Sequence, residues 1–120
     1  MSMSGDLAVL LSAAQSVRGG RGALVMDLEG VPIEQASREP GADPGSLGGE
    51  YTVLLREARV LAAALGWGEA RTFGVRARER RVVFAFAPHE LMVGVEAGPT
   101  GLPGQMRHAA SRAAVRLNHI

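Results

Sequence analysis

The sequence contains no cysteine, which excludes disulfides, a thiolate nucleophile, iron–sulfur clusters and every cysteine-based zinc site. It contains no lysine either, because all 13 basic residues are arginine. That removes the phosphate-gripping lysine of a P-loop and any Schiff-base amine. No apolar run is long enough to cross a bilayer, and the opening Met1-Ser2-Met3-Ser4-Gly5-Asp6 lacks the basic start of a secretory signal. A soluble, cytoplasmic protein without membrane insertion is therefore expected. Basic and acidic residues nearly cancel, 13 against 12, for a net charge of +1. So small a charge exerts little long-range pull on nucleic acid, and no nucleic-acid partner is expected.

What remains is 120 residues and 12.6 kDa, enough for one domain over residues 1–120 that buries about two-thirds of its unfolded surface. Hydrophobic content of 47% and charged content of 21% match an ordinary globular chain. Apolar residues at Leu7, Leu10, Leu11 and Ala14 follow a helical rhythm from Asp6 to Val17, with Ser4 or Asp6 available as a cap. Gly19, Gly20 and Gly22 break that rhythm before Ala23-Leu24-Val25-Met26, a buried strand. Asp27-Leu28-Glu29-Gly30 has the chemistry of a turn, and Val31-Pro32-Ile33-Glu34 returns as a second strand. Pro32 confines that strand to a sheet edge, or to a register that turns its nitrogen away from the neighbour.

A loop from Ser37 to Pro44 leads into a long helix expected to start at Asp43-Pro44 and end at Gly66. One of its faces, Leu47, Tyr51, Leu54, Leu55, Ala58, Leu61, Ala62 and Leu65, reads as a core stripe. The opposite side carries Gly45, Gly49, Val53, Val60, Ala63 and Ala64, where a solvated helix would show mostly charge. A helix with two apolar or small-residue faces calls for two partners. Three strands follow at 70–76, 81–87 and 91–95, with turns at Arg78-Glu79-Arg80 and Pro88-His89-Glu90. A last helix runs from near Pro103 to Asn118, its Arg107, Arg112 and Arg116 facing outward. The order αββαβββα describes an α+β domain: a five-stranded antiparallel sheet, the long helix on one face and two helices on the other.

No chemistry of a familiar catalyst emerges. His108 and His119 are about 16 Å apart along one helix and cannot share an ion. His89-Glu90 is not continued into HExxH, GxSxG does not occur, and Asp27 and Glu29 are accounted for by their turn. Gly98 to Gln105 is glycine-dense before a helix but matches neither phosphate fingerprint. Arg76, Arg78, Arg80 and Arg81 read as the wet end of a hairpin. Trp67, flanked by Gly66 and Gly68, is either a plug for the core end or a contact for a partner.

The element order, Gly22 to Ile33 (GALVMDLEGVPI), the Ala/Leu-rich helix ending in Leu65-Gly66, and Gly101-Leu102-Pro103-Gly104-Gln105-Met106-Arg107 resemble the Roadblock/LC7 family. The likeness runs from about Leu7 to Leu117, and profilin-like and longin domains share related sheets. It implies a non-enzymatic, cofactor-free and metal-free domain that homodimerises. The long helices would lie side by side through Gly49, Val53, Glu57, Val60 and Ala64, and the third strands would pair through Arg71, Phe73 and Val75. It further implies regulation or scaffolding of a small Ras-like GTPase, as in bacterial polarity and gliding systems, with Thr52, Arg56 and Arg59 as the exposed partner contacts. The alternative is a small-molecule sensor holding its ligand between sheet and helix. A third reading, an enzyme built on His89 and nearby carboxylates, is the weakest of the three.

Overall fold

The computed structural model describes residues 3–118. Its elements are α1 (Met3–Ala14), β1 (Gly20–Asp27), β2 (Pro32–Ser37), a 3-10 turn (Pro44–Ser46), α2 (Leu47–Ala64), β3 (Thr72–Arg76), β4 (Arg81–Ala87), β5 (Leu91–Ala97) and α3 (Pro103–Leu117). All pairings are antiparallel and the spatial order is β2-β1-β5-β4-β3, so the expected αββαβββα architecture is the one adopted.

Alternate residues of a strand face opposite sides, and here each side has its own core. Ala23, Val25, Val83, Ala85, Val93 and Val95 point to α1 and α3. Leu24, Met26, Val82, Phe84 and Met92 point to α2. That is why β1, β4 and β5 read as continuous apolar runs: they are covered on both faces. The small residues Ala110, Ala113 and Ala114 bring α3 close to the sheet. On the other face α2 is held mainly by Leu47 and Leu55, with Tyr51 tilted over Phe84 at 5.5 Å between ring centroids.

The β1–β2 turn forms as its residues dictate. Asp27 Oδ1 accepts the amides of Glu29 and Val31 at 2.9 and 3.0 Å, and Gly30 takes φ +87°. β2 is an edge strand, as Pro32 requires. At the other end of α2 the amide of Gly66 bonds the Ala63 carbonyl and that of Trp67 the Ala62 carbonyl. With Gly66 at φ +70° this is a Schellman termination.

Several boundaries differ from expectation. α1 starts three residues before Asp6, so Ser4 and Asp6 lie inside the helix rather than capping it, and it ends at Ala14. β1 begins at Gly20, taking in glycines read as a break, because Gly20 and Gly22 pair with Ala97 and Glu96 of β5, and at Gly22 a side chain would collide with the Ala36 carbonyl and Pro44. β2 runs on to Ser37. The long helix begins with one 3-10 turn, and the Asp43 side chain caps nothing. Gln35 Oε1 instead accepts the Gly45 amide at 2.8 Å, inside that 3-10 turn. His119 lies outside the described residues.

Candidate interaction site

The helix α2 touches the sheet along one line, Leu47, Tyr51, Leu55, Ala58 and Ala62. Leu54, Leu61 and Leu65, expected in the core stripe, are instead about half exposed. Each sits beside that line rather than on it, and a helix lying on a sheet buries only the strip beneath its axis. They widen the outward stripe, where Gly49, Val53, Glu57, Val60 and Ala64 are all exposed, Val53 at 64% and Val60 at 63%. The result is an apolar band along the helix, interrupted by Glu57 and, in its first turn, by Glu50.

The neighbouring edge of the sheet is also open, since β3 pairs only with β4. Phe86 donates its amide to the Arg71 carbonyl, and Ala77 to that of Arg80. In an antiparallel ladder these bonded pairs alternate. The backbone groups of Arg71, Phe73 and Val75 therefore face β4, and those of Thr72, Gly74 and Arg76 face outward. The strand expected to pair is thus free, but its available amides belong to the residues between the three named from the sequence. Phe73 and Val75 are half-buried, Phe73 against the α2 core.

The three expected partner contacts do not stand alike. Arg56 is exposed. Arg59 is exposed with its guanidinium 5.7 Å from the centroid of the Phe86 ring. Thr52 is half-buried, not exposed: its hydroxyl donates to the Gly48 carbonyl and sits against Gly30 at the hairpin tip. Trp67 is 73% exposed, which overturns the core-plug reading. It stands at the end of the band, next to Leu65.

Two arginines read as wet hairpin residues are structural. Arg80 Nε donates to Glu96 Oε2 at 2.5 Å and Nη1 to Glu50 Oε2 at 3.0 Å, tying β5 to the first turn of α2. Burial opposes the Arg80 charge, but the bonds and charges of Glu96 and Glu50 outweigh it and hold its pKa above the ordinary arginine value. Arg81 Nη1 donates to the Gly101 carbonyl. Neither role has a local signal, because the partners are 16 to 30 residues away.

An open groove of about 700 Å³ lies between the end of α2 and the β4–β5 turn, lined by Arg59, Glu69, His89 and Glu90 among others. His89 and Glu90 both adopt positive φ, 64° and 60°, as the turn requires. Among the described residues no group of three or more histidines or carboxylates is placed to hold a metal, and no helix is long and apolar enough to cross a membrane.

No protein-family model and no curated protein matches the chain in sequence. Solved structures do match in three dimensions. A Roadblock/LC7 domain from Streptomyces avermitilis superposes with a TM-score of 0.78 at 15% identity, over 92% of this chain and 93% of that one. The gliding protein MglB from Thermus thermophilus gives 0.84 at 18% identity, over 99% and 91%. An MglB in a tetrameric arrangement gives 0.85 at 18%, over 97% and 88%. The fold is that of a Roadblock/LC7 domain.

Proposed function

We propose that the chain is a non-enzymatic homodimeric module that regulates or scaffolds a small Ras-like GTPase in the cytoplasm. The observation that carries the dimer is the coincidence of the exposed band on α2 with an unpaired β3 edge. Two copies related by a twofold axis lay α2 against α2 through Gly49, Val53, Glu57, Val60 and Ala64. They join β3 to β3 through the outward backbone groups of Thr72, Gly74 and Arg76, which brings Arg71, Phe73 and Val75 to the seam.

The GTPase is supported by the likeness to MglB, a gliding protein, and by the family resemblance of the sequence. Its contacts are Arg56 and Arg59, with Thr52 fixing the helix turn beneath them. An effect on hydrolysis would come from ordering the GTPase's own residues or from an arginine supplied across the interface. The space between α2 and the sheet is filled by Leu47, Leu55, Phe84 and Met92. A sensed small molecule would therefore have to use the open groove beyond α2.

The single tryptophan makes the dimer testable without labels. Trp67 fluorescence is expected to move toward that of a fully hydrated indole as the protein is diluted. An emission independent of concentration down to the nanomolar range, at the hydrated limit throughout, contradicts the dimer. For the partner, the organism's GTP-loaded Ras-like GTPase is expected to co-elute with the wild type and not with Arg56→Glu/Arg59→Glu. Co-elution with both contradicts the assigned contacts.

A further inference from the structure

The face opposite α2 carries a charge pattern that neither the fold nor the proposed dimer uses. The helix α3 contains no acidic residue, and α1 contains only Asp6. His108, Arg112 and Arg116 are spaced four apart, so they form one stripe down the outer side of α3 in which Arg112 and Arg116 set like charges one turn apart, an arrangement that destabilises a helix. All three are exposed. Among the described residues neither Arg112 nor Arg116 makes an ion pair. The amide of Arg18, just past α1, donates to Gln105 Oε1 in the first turn of α3 at 3.0 Å, so the two helices run antiparallel. Between them lies a furrow of about 220 Å³ whose lining includes Leu10, Ala13 and Ala109 together with His108, Arg112 and Arg116.

We propose that this furrow docks an amphipathic helix of a partner protein, with small or aliphatic residues on the α1 side and glutamates or aspartates on the α3 side. The stripe spans eight residue steps, about 12 Å or two helical turns, with its two arginines one turn apart, which matches carboxylates four residues apart on the partner. The small alanines of the lining admit another backbone closely. An anionic membrane is the poorer fit, because neither helix carries a tryptophan or phenylalanine to enter lipid and the surface is concave.

The test uses a fluorescein-labelled helical peptide of about 14 residues, with Glu at every fourth position and Leu and Ala beside it. Its glutamine analogue and phosphatidylserine vesicles serve as the other probes. The wild type is expected to bind the acidic peptide and not the analogue or the vesicles, with affinity falling as salt rises. Arg112→Glu/Arg116→Glu is expected to lose about tenfold or more, while its thermal midpoint and its oligomeric mass stay those of the wild type. Should the reversal not fold, Arg112→Gln/Arg116→Gln decides the matter with the same readout. Equal binding to the variant, no binding to the wild type, or vesicle binding abolished by the variant each overturns the proposal.

Discussion

Gly48 and Gly49 are adjacent in α2 and should respond to alanine in opposite ways. A Cβ on Gly48 would lie 1.9 Å from the Gly30 carbonyl oxygen, whereas one on Gly49 meets nothing within 4 Å. Gly48→Ala is expected to destabilise by about 1–3 kcal/mol in urea unfolding despite alanine's better helix propensity. Gly49→Ala should stabilise the dissociated chain by about 0.8–1 kcal/mol and weaken the proposed self-association, since it thickens the helix face assigned to the dimer. At Arg80 the expectation is again specific. Arg80→Leu leaves Glu96, itself 4% exposed, without its cation, and should cost about 2 kcal/mol. Arg80→Leu/Glu96→Leu recovers much of that. Because the Arg80 pKa is raised, its stabilisation is fully present below the ordinary arginine value and fades only as pH climbs through the higher folded one. No alkaline loss of stability from this group is therefore expected in the workable range.

Among the elements, the strands are the most legible in the sequence, because burial on both faces leaves Leu24 to Met26 and Val82 to Phe86 as unbroken apolar runs. Helix ends are less so. Glycines at 45, 48 and 49 permit both 3-10 and α winding, and the choice is made by Gln35, ten residues earlier, taking the Gly45 amide. The width of the buried strip on α2 is not legible either. Periodicity reports the direction of a side chain but not how far the sheet beneath it reaches, so Leu54, Leu61 and Leu65 read as inward and lie outward. Two predictions belong at this scale. Gly74→Pro removes an amide that points away from β4, so the chain should fold with near-normal circular dichroism while the β3–β3 pairing is lost. Trp67→Ala should leave the thermal midpoint of the monomeric form unchanged and reduce association, because the ring packs on little within its own chain. A fall in monomer stability would restore the plug.

For the molecule as a whole, three layers measure 40 × 38 × 23 Å with a radius of gyration of 13.3 Å, close to about 13.6 Å expected for 120 residues. Exposed apolar side chains gather on and just after α2, where Val53, Leu54, Val60, Leu61, Leu65 and Trp67 stand out together. The α1/α3 layer is basic and the α2 layer apolar, so the two outer faces suit different partners and could be engaged together. The proposed function requires that a second copy covers α2. Sedimentation equilibrium of the wild type beside Val53→Glu/Val60→Glu tests it most directly. A particle of twice 12.6 kDa is expected for the wild type at tens of micromolar, and a folded single chain for the variant. A wild type that sediments as one chain at that concentration, or a variant that keeps the doubled mass, contradicts it.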